Sequence, residues 1–336
     1  MREHLKHFSW SIITSAIVTL TVLYYLGFGA LAPLLTLIVI EITFSFDNAV
    51  VNAKILKKLS PLWQQLFLTV GILIAIFGMR LVFPVLIVAL TAHLPWHDVI
   101  DLALNHPEVY AHKLELAHPT ITAFGGSFLL MLCLHFFIEE DKKHHWIEWL
   151  ERPMNHLGAW WTPLAMTTLV VLGISWLPGN EHATETLRAG LIGIMTYLAI
   201  QGIMYAINFL TRSTSESKHY VGWAAFTMFV YLQVLDASFS LDGVLGAFAI
   251  SSDIILIAAG LGIGALWVRS MTVYMVRRGT LEAYRYLEHG AHYAIGVLAV
   301  SMLGSVIFEI PEFVTGGTGL FVIGASVVAS LRAKRV

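Results

Sequence analysis

Long apolar stretches separated by short polar segments dominate the pattern of this chain. Most stretches reach about 17–25 residues, the length that an α-helix needs to cross ~30 Å of hydrocarbon. In lipid a segment has to satisfy its own backbone hydrogen bonds, so each stretch predicts a transmembrane helix. The pattern predicts about ten spans, with a range of eight to ten and loose boundaries: 8–28, 30–53, 62–90, 120–138, 161–177, 187–210, 221–250, 253–275, 290–310 and 313–331.

The cationic residues support these spans through their distribution over the predicted loops. With the N-terminus in the cytoplasm, sixteen of the 20 Lys and Arg residues fall on the cytoplasmic side, and the outer loops receive only Lys113 and Arg188. Short cytoplasmic loops of membrane proteins carry such an excess. We therefore predict a multi-pass protein of a bacterial-type plasma (inner) membrane with both termini in the cytoplasm. The other two cations, Arg80 and Arg269, fall inside spans.

Composition indicates the same class of protein. Of the 336 residues, 57% are hydrophobic and 12% are charged, whereas soluble domains carry about 25% charged residues. The first apolar run has no small-residue cleavage site ahead of a polar domain, which predicts a retained span. The single cysteine, Cys133, excludes a disulfide framework or a thiolate metal site. The chain has no basic tract, so we expect no nucleic-acid partner.

Two longer connections separate the spans. The outer segment 91–119 carries five histidines, and its apolar spacing fits a short interfacial helix. For these histidines an ordinary solvated loop is favoured over a metal-binding or pH-sensing group. The cytoplasmic segment 139–160 mixes charged residues with tryptophans, which is typical of an amphipathic stretch at the lipid headgroups.

One pattern of about ten residues occurs in both the second and the seventh span. It consists of an acid, two residues, Phe-Ser, an apolar residue, Asp, and then Asn or Gly. Its acids are Glu41 and Asp47 in the first copy and Asp236 and Asp242 in the second. In the predicted topology the two copies run antiparallel, as in the inverted repeats of many secondary transporters.

This repeat divides a single transmembrane domain, 1–336, into related halves. The first repeat covers about 30–140 and the second about 221–310, so that spans 2–4 correspond to spans 7–9. An arginine follows each motif in the next span, Arg80 in the first half and Arg269 in the second. We therefore predict an all-α polytopic membrane protein with an inverted-topology repeat.

The motif residues are hard oxygen donors. A carboxylate at the centre of a bilayer costs on the order of 3 kcal/mol, so four of them should face a cavity, a cation or each other. Hydroxyl and amide neighbours suit Mg²⁺, Ca²⁺ and Mn²⁺ better than Cu or Zn. The predicted metal ligands are Glu41, Asp47, Asp236 and Asp242, with Ser45, Asn48, Ser240, Asn52, Gln233, Arg80 and Arg269 in support.

The six-residue spacing of the two acids in each copy raises a geometric problem. On an ideal helix the two side chains point about 120° apart and lie ~9 Å apart along the axis. Either the helix unwinds near Asn48 and Gly243, which are weak helix formers, or each acid serves a different position on the ion path. A structural alternative is that the acids pair with Arg80 and Arg269 and hold the halves together.

The two motifs resemble the TerC family, the tellurium-resistance and alkaline-induced membrane proteins related to the LysE-type exporters. The first copy resembles the Glu-x-x-x-Ser-x-Asp-Asn signature of that family, and the second resembles its Asp-x-x-x-Ser-x-Asp partner. The stretch 281–296, with Glu288, His289 and His292, resembles an uncharacterised branch of the superfamily. The resemblance implies metal-ion export with Mn²⁺ as the favoured substrate, and it implies the four acids as ion ligands. Gly243 departs from the Asn found in the first copy.

These observations predict a divalent metal-ion transporter, with Mn²⁺ export favoured, that works by alternating access around a carboxylate site near the membrane midplane. The ion is the substrate, with Ca²⁺ or Mg²⁺ as other candidates, protons are a plausible coupling ion, and no organic cofactor is expected. The alternatives are a proton- or monovalent-ion-coupled transporter and a non-transporting stress-response scaffold. An enzyme is disfavoured because no nucleophile–base constellation is present. Membrane lipids are expected partners, and a homo-oligomer stays open.

Overall fold

The apolar stretches form helices throughout the part of the chain that the structure describes. The computed structural model describes residues 2–138, 145–156, 161–211, 219–251, 253–308 and 310–333. Within these ranges it contains helices and no β-strand. In chain order the α-helices are α1 (Arg2–Leu26), α2 (Leu31–Phe44), α3 (Phe46–Leu56), α4 (Pro61–Leu68), α5 (Val70–Leu73), α6 (Phe83–Thr91), α7 (Trp96–Asn105), α8 (Pro107–Leu116), α9 (His118–Ile138), α10 (Glu148–His156), α11 (Thr162–Trp176), α12 (Ala183–Thr211), α13 (Gly222–Ile250), α14 (Ile254–Arg278), α15 (Thr280–Ala283), α16 (Leu287–Gly304) and α17 (Glu312–Ala333).

Each of the ten predicted spans overlaps one of these helices or a succession of them. Among the described residues, six helical stretches are long and apolar enough to cross a membrane, and the bent pair α2–α3 would make a seventh. The prediction of an all-α polytopic membrane protein is thereby confirmed, while the number of ten spans stays a prediction. Among the helices that cover a predicted span alone, α11 is the shortest, and its 15 residues fall below the ~20 that a perpendicular crossing needs.

The second predicted span is broken between its two acids. Helices α2 and α3 meet at Ser45 with a bend of 51°. Unwinding near Asn48 was one of the predicted options, and the observed break lies three residues earlier, at Ser45. The matching helix α13 runs without interruption through Gly243, so the option of unwinding does not hold at that glycine. Of the two motifs, only the first is interrupted by a helix break.

The third predicted span contains a stretch of π-helix, Ile74–Val82, between α5 and α6. Such wider turns are rare and are often found at functional sites. This stretch contains Arg80, which is 3% exposed. Its guanidinium Nη1 donates to the carbonyl of Ala75 at 2.8 Å, five residues earlier in the chain.

Helices α9 and α14 are the most enclosed of the long apolar helices. In both, glycines bring a neighbouring helix close. A Cβ atom at Gly126 of α9 would lie 2.8 Å from Leu303 of α16, and one at Gly264 of α14 would lie 2.5 Å from the Cβ and Cγ atoms of Glu41 on α2. Small residues permit this kind of helix approach in membrane proteins. The packing at Gly264 fixes the position of the first acidic residue.

The segment 91–119, predicted to be an outer loop, forms two helices, α7 and α8, where one short helix was predicted. Their inner faces bury Val99 and Tyr110. The side chains of His97 and His112 are 67% and 70% exposed, and each lies beside a neighbouring acid. Of the predicted amphipathic segment 139–160, the structure describes 145–156 with α10; residues 139–144 and 157–160 lie outside the described part.

Candidate functional site

The two acids of the first motif lie on either side of the bend in the second predicted span. Glu41 is near the end of α2, and Asp47 is in the first turn of α3. Both are buried, with exposed fractions of 5% and 6%. The bend replaces the straight helix on which the two side chains would point about 120° apart. Both acids therefore line one cavity.

This acidic cavity has a volume of about 40 Å³. Since ~10–15 Å³ of such volume accommodates one water, it has room for a few waters or a partly hydrated ion. Four helical segments form its walls: the α2–α3 bend, α13, α16 and α17. The lining residues are Ile40, Glu41, Thr43, Phe44, Ser45, Asp47, Phe239, Gly243, Ala294, Leu298, Thr315, Gly316, Gly319, Leu320 and Ile323.

Glu41 forms an ion pair with Arg80 of the π-helical stretch. Its Oε1 atom accepts from the Arg80 guanidinium and, at 3.0 Å, from the hydroxyl of Ser45. Both charged side chains are almost completely buried. The arginine therefore offsets the charge of one of the two carboxylates at the cavity.

Asp236 of the second motif forms a separate ion pair with Arg269 of α14. Its Oδ1 atom accepts from the amides of Asn48 at 2.7 Å and Asn52 at 2.9 Å. The Arg269 guanidinium also donates to the Phe67 carbonyl at 3.1 Å and to the Gln233 side chain at 3.3 Å. The predicted supporting residues Asn48, Asn52 and Gln233 thus gather around the Asp236–Arg269 pair, and Asp236 does not line the acidic cavity.

The two ion pairs have the same construction in both halves. In each, the first acid of the motif pairs with the arginine of the following predicted span, Glu41 with Arg80 and Asp236 with Arg269. A glycine of the opposite half packs against each pair: Gly264 against Glu41, and Gly71 against Arg269. These matching contacts agree with the predicted repeat.

The halves differ at the position after the second acid. In the first motif Asn48 reaches across to Asp236. Gly243 holds the matching place in the second motif and faces Glu41, where a Cβ atom would lie 3.8 Å from Glu41 Oε2. The Asn48 amide therefore fills the space beside Asp236, whereas Gly243 has no side chain to fill the space beside Glu41. The acidic cavity occupies that space.

Asp47 is the cavity acid without a cationic partner among the described residues. Its Oδ1 atom accepts the backbone N–H of Asn48 at 2.8 Å. The side-chain oxygens of Asn48 and Asn52 are also buried, and neither has a hydrogen-bond partner there. Buried polar atoms are normally paired, so these acceptor oxygens call for a donor or a cation.

The side chains of Ser240 and Asp242 lie outside the described part of the chain. Among the side chains that are described, no three His, Cys, Asp or Glu residues come together in a way that could hold a metal ion. Two of the predicted ligands, Glu41 and Asp47, share the cavity, and Asp236 belongs to the neighbouring ion pair. A single site shared by all four acids stays a prediction.

Sequence patterns missed a further buried carboxylate, Glu151 of α10, which has no exposed surface. It accepts from the Tyr293 hydroxyl at 3.0 Å and lies 3.2 Å from His145 Nδ1 and 3.5 Å from His289 Nε2. The stretch 281–296 contains His289, and its resemblance to other sequences was the one signal that pointed here. This cluster attaches α10 to α16.

A family model described as "Protein of unknown function (DUF475)" matches residues 46–336. The matched part includes Asp47, Asp236 and both intramembrane arginines, and Glu41 precedes it. No curated protein matches the chain, and no solved structure matches it. The resemblance to the TerC family therefore stays a prediction.

Proposed function

The chain belongs to the DUF475 family of proteins of unknown function, and we propose that it is a divalent metal-ion transporter, with Mn²⁺ export as the favoured activity. The acidic cavity carries this proposal. It combines two buried carboxylates with hydroxyl groups at the break of a predicted membrane span. In secondary transporters, broken helices at the midplane form substrate and ion sites.

The charge of Asp47 supports a cation as the substrate. An isolated buried carboxylate is strongly unfavourable, so it needs a proton or a cation. Arg80 offsets Glu41, whereas Asp47 has no cationic partner among the described side chains. Carboxylate and hydroxyl oxygens suit Mn²⁺, Mg²⁺ and Ca²⁺. We propose that the ion binds at Asp47 from the cytoplasm, that the two halves then move relative to each other, and that protons return to the carboxylate after release.

One observation favours a second candidate, a non-transporting membrane scaffold. Both arginines of the predicted spans are consumed in ion pairs that join helices, as a purely structural role of the motif acids would require. Under that alternative the acidic cavity would bind no ion. A transporter for protons or monovalent ions is the third candidate.

A thermal unfolding titration of the purified protein separates a divalent-ion or monovalent-ion transporter from the other candidates. We expect saturable stabilisation by Mn²⁺, reaching about 2.7 kcal/mol at a concentration 100 times the Kd, because a ligand that binds only the folded state stabilises it. Mg²⁺ and Ca²⁺ should act more weakly or equally, and Zn²⁺ least. Stabilisation by Na⁺ or K⁺ alone would favour the monovalent transporter. No effect of any of these metal ions would favour the scaffold or a proton transporter.

Filling the space beside Glu41 should weaken ion binding. In Gly243→Asn the new amide occupies the place that Asn48 holds at Asp236, and it would donate to Glu41. We expect the Kd for Mn²⁺ to rise at least about tenfold, equivalent to ~1.4 kcal/mol, in a calorimetric titration. Gly243→Ala is the matched control: its Cβ makes an ordinary contact at 3.8 Å, so its Kd should change less than about threefold. If Gly243→Asn and Gly243→Ala bound Mn²⁺ with equal affinity, the ion would not bind beside Glu41.

A further inference from the structure

We infer that α17, which lies outside both copies of the repeat, completes the cation site, and that the hydroxyl of Thr315 is one of the ligands of the ion. This inference rests on the proposed function and extends it to a residue that the repeated motif does not contain. It makes the last predicted span part of the substrate site.

The placement of α17 provides the first argument. Its residues Thr315, Gly316 and Gly319 line the acidic cavity opposite Glu41 and Asp47. The ring of Phe44 lies directly against Gly316, so closely that a Cβ atom there would overlap the ring. Phe44 is the last residue of α2 before the bend. The contact therefore seats α17 at the point where the span is broken, and it brings Thr315 to the cavity.

The state of the Thr315 hydroxyl provides the second argument. Thr315 is 7% exposed, and its hydroxyl forms no hydrogen bond with any described residue. Threonines in helices commonly donate to the carbonyl four residues earlier. Thr318 on the same helix does so at 2.6 Å and Thr36 does so at 2.9 Å. Because Thr315 lines the acidic cavity and its hydroxyl makes no such contact, this oxygen is available to an ion bound there.

The donor set provides the third argument. Thr43 and Ser45 bring hydroxyl groups to the cavity from the α2–α3 side, and Thr315 brings one from the opposite wall. Together with Glu41 and Asp47 they surround the space with oxygen atoms. Mn²⁺ and Mg²⁺ favour octahedral oxygen coordination, and Ca²⁺ takes six to eight oxygens. The threonine adds a neutral oxygen, which contributes to affinity without adding to the negative charge of the site.

The experiment compares Mn²⁺ binding to wild type, Thr315→Val, Thr315→Ser and Thr315→Cys by calorimetric titration of the full chain. Thr315→Val keeps the shape of the side chain and removes the hydroxyl, so we expect the Kd to rise about tenfold. Thr315→Ser keeps the hydroxyl and should bind within about threefold of wild type. Thr315→Cys offers a soft sulfur, so Cd²⁺ should bind at least about tenfold more tightly than to wild type.

Thr318→Val and Thr318→Cys are the matched controls, because Thr318 lies on the same helix, is exposed and already donates to a carbonyl. Neither control should change Mn²⁺ or Cd²⁺ affinity. Wild-type Mn²⁺ affinity in Thr315→Val together with unchanged Cd²⁺ affinity in Thr315→Cys would overturn the inference while leaving the proposed function intact. If Thr315→Val does not fold, the Cd²⁺ result with Thr315→Cys decides. An absence of Mn²⁺ binding to wild type would overturn the proposed function and this inference with it.

Discussion

Asp47→Asn is expected to abolish Mn²⁺ transport while the protein still folds. Asparagine has nearly the same shape, and its side-chain oxygen can still accept the backbone N–H of Asn48, which Asp47 accepts at 2.8 Å. The substitution removes the one cavity charge that no described cation offsets. Losing about 3 kcal/mol of attraction for the ion corresponds to a loss of affinity of at least about 100-fold. The unfolding temperature without metal should stay the same or rise, because a buried charge is removed.

Flux into proteoliposomes, followed with a Mn²⁺-quenched fluorophore, measures this effect. Asp98→Asn provides the control, since this acid of α7 is 52% exposed at its side chain and lies far from the motif in sequence. It should transport like wild type. Normal flux from Asp47→Asn in a preparation of equal protein content would rule out Asp47 as an ion ligand, whatever the effect on stability.

Arg269→Met is expected to lower the free energy of unfolding by about 3–5 kcal/mol, because it leaves Asp236 as a buried charge without its ion-pair partner. Asp236 is only 8% exposed at its side chain and lies among Asn48, Asn52 and Gln233. None of these three amides carries a charge. The loss should also release the Phe67 carbonyl, to which Arg269 donates.

The double variant Arg269→Met/Asp236→Asn separates the charge from the packing. Its neutral amide oxygen can still accept from Asn48 and Asn52, so most of the lost stability should return. Thermal unfolding in detergent, with all three proteins in the same buffer, measures both changes. A double variant as unstable as Arg269→Met would mean that the guanidinium acts through its contacts with Phe67 and Gln233 and not through the ion pair.

The positions of the long helices could be predicted from the sequence because the length of each apolar stretch indicates a membrane-crossing helix. A stretch that enters lipid has to satisfy its backbone internally, so runs such as 120–138 and 253–275 predict α9 and α14 to within a few residues. The pattern also indicated that an arginine accompanies each motif. It could not indicate which acid each arginine reaches, because this depends on how separate helices pack.

The helix propensities of the neighbouring residues do not predict the break at Ser45. Asparagine and glycine are weak helix formers, yet α3 continues through Asn48 and α13 through Gly243. The break lies instead beside Phe44, whose ring packs on Gly316 of a helix about 270 residues away in the chain. Thr315 was overlooked for the same reason. Its glycine-rich surroundings suggest helix packing, and only the tertiary structure brings it to the cavity.

Glu151 was missed because its surroundings in sequence are polar. It lies in a segment with charged and aromatic residues, which is typical of a headgroup surface. Its burial results from Tyr293 and His289 on α16, and a single sequence carries no information on that pairing. The resemblance of 281–296 to an uncharacterised branch singled out His289 but gave no sign of its acidic partner.

The ion pair between Glu41 and Arg80 bears on how quickly the site can turn over. A transporter has to release what it binds, so a site has to be favourable enough for entry and weak enough for exit. Two free carboxylates facing one small cavity would hold a divalent ion in a deep energy well. With Arg80 beside Glu41, the described side chains offer the ion roughly one net negative charge. In the proposed transporter the arginine would thereby shorten the residence time of the ion, at the expense of affinity.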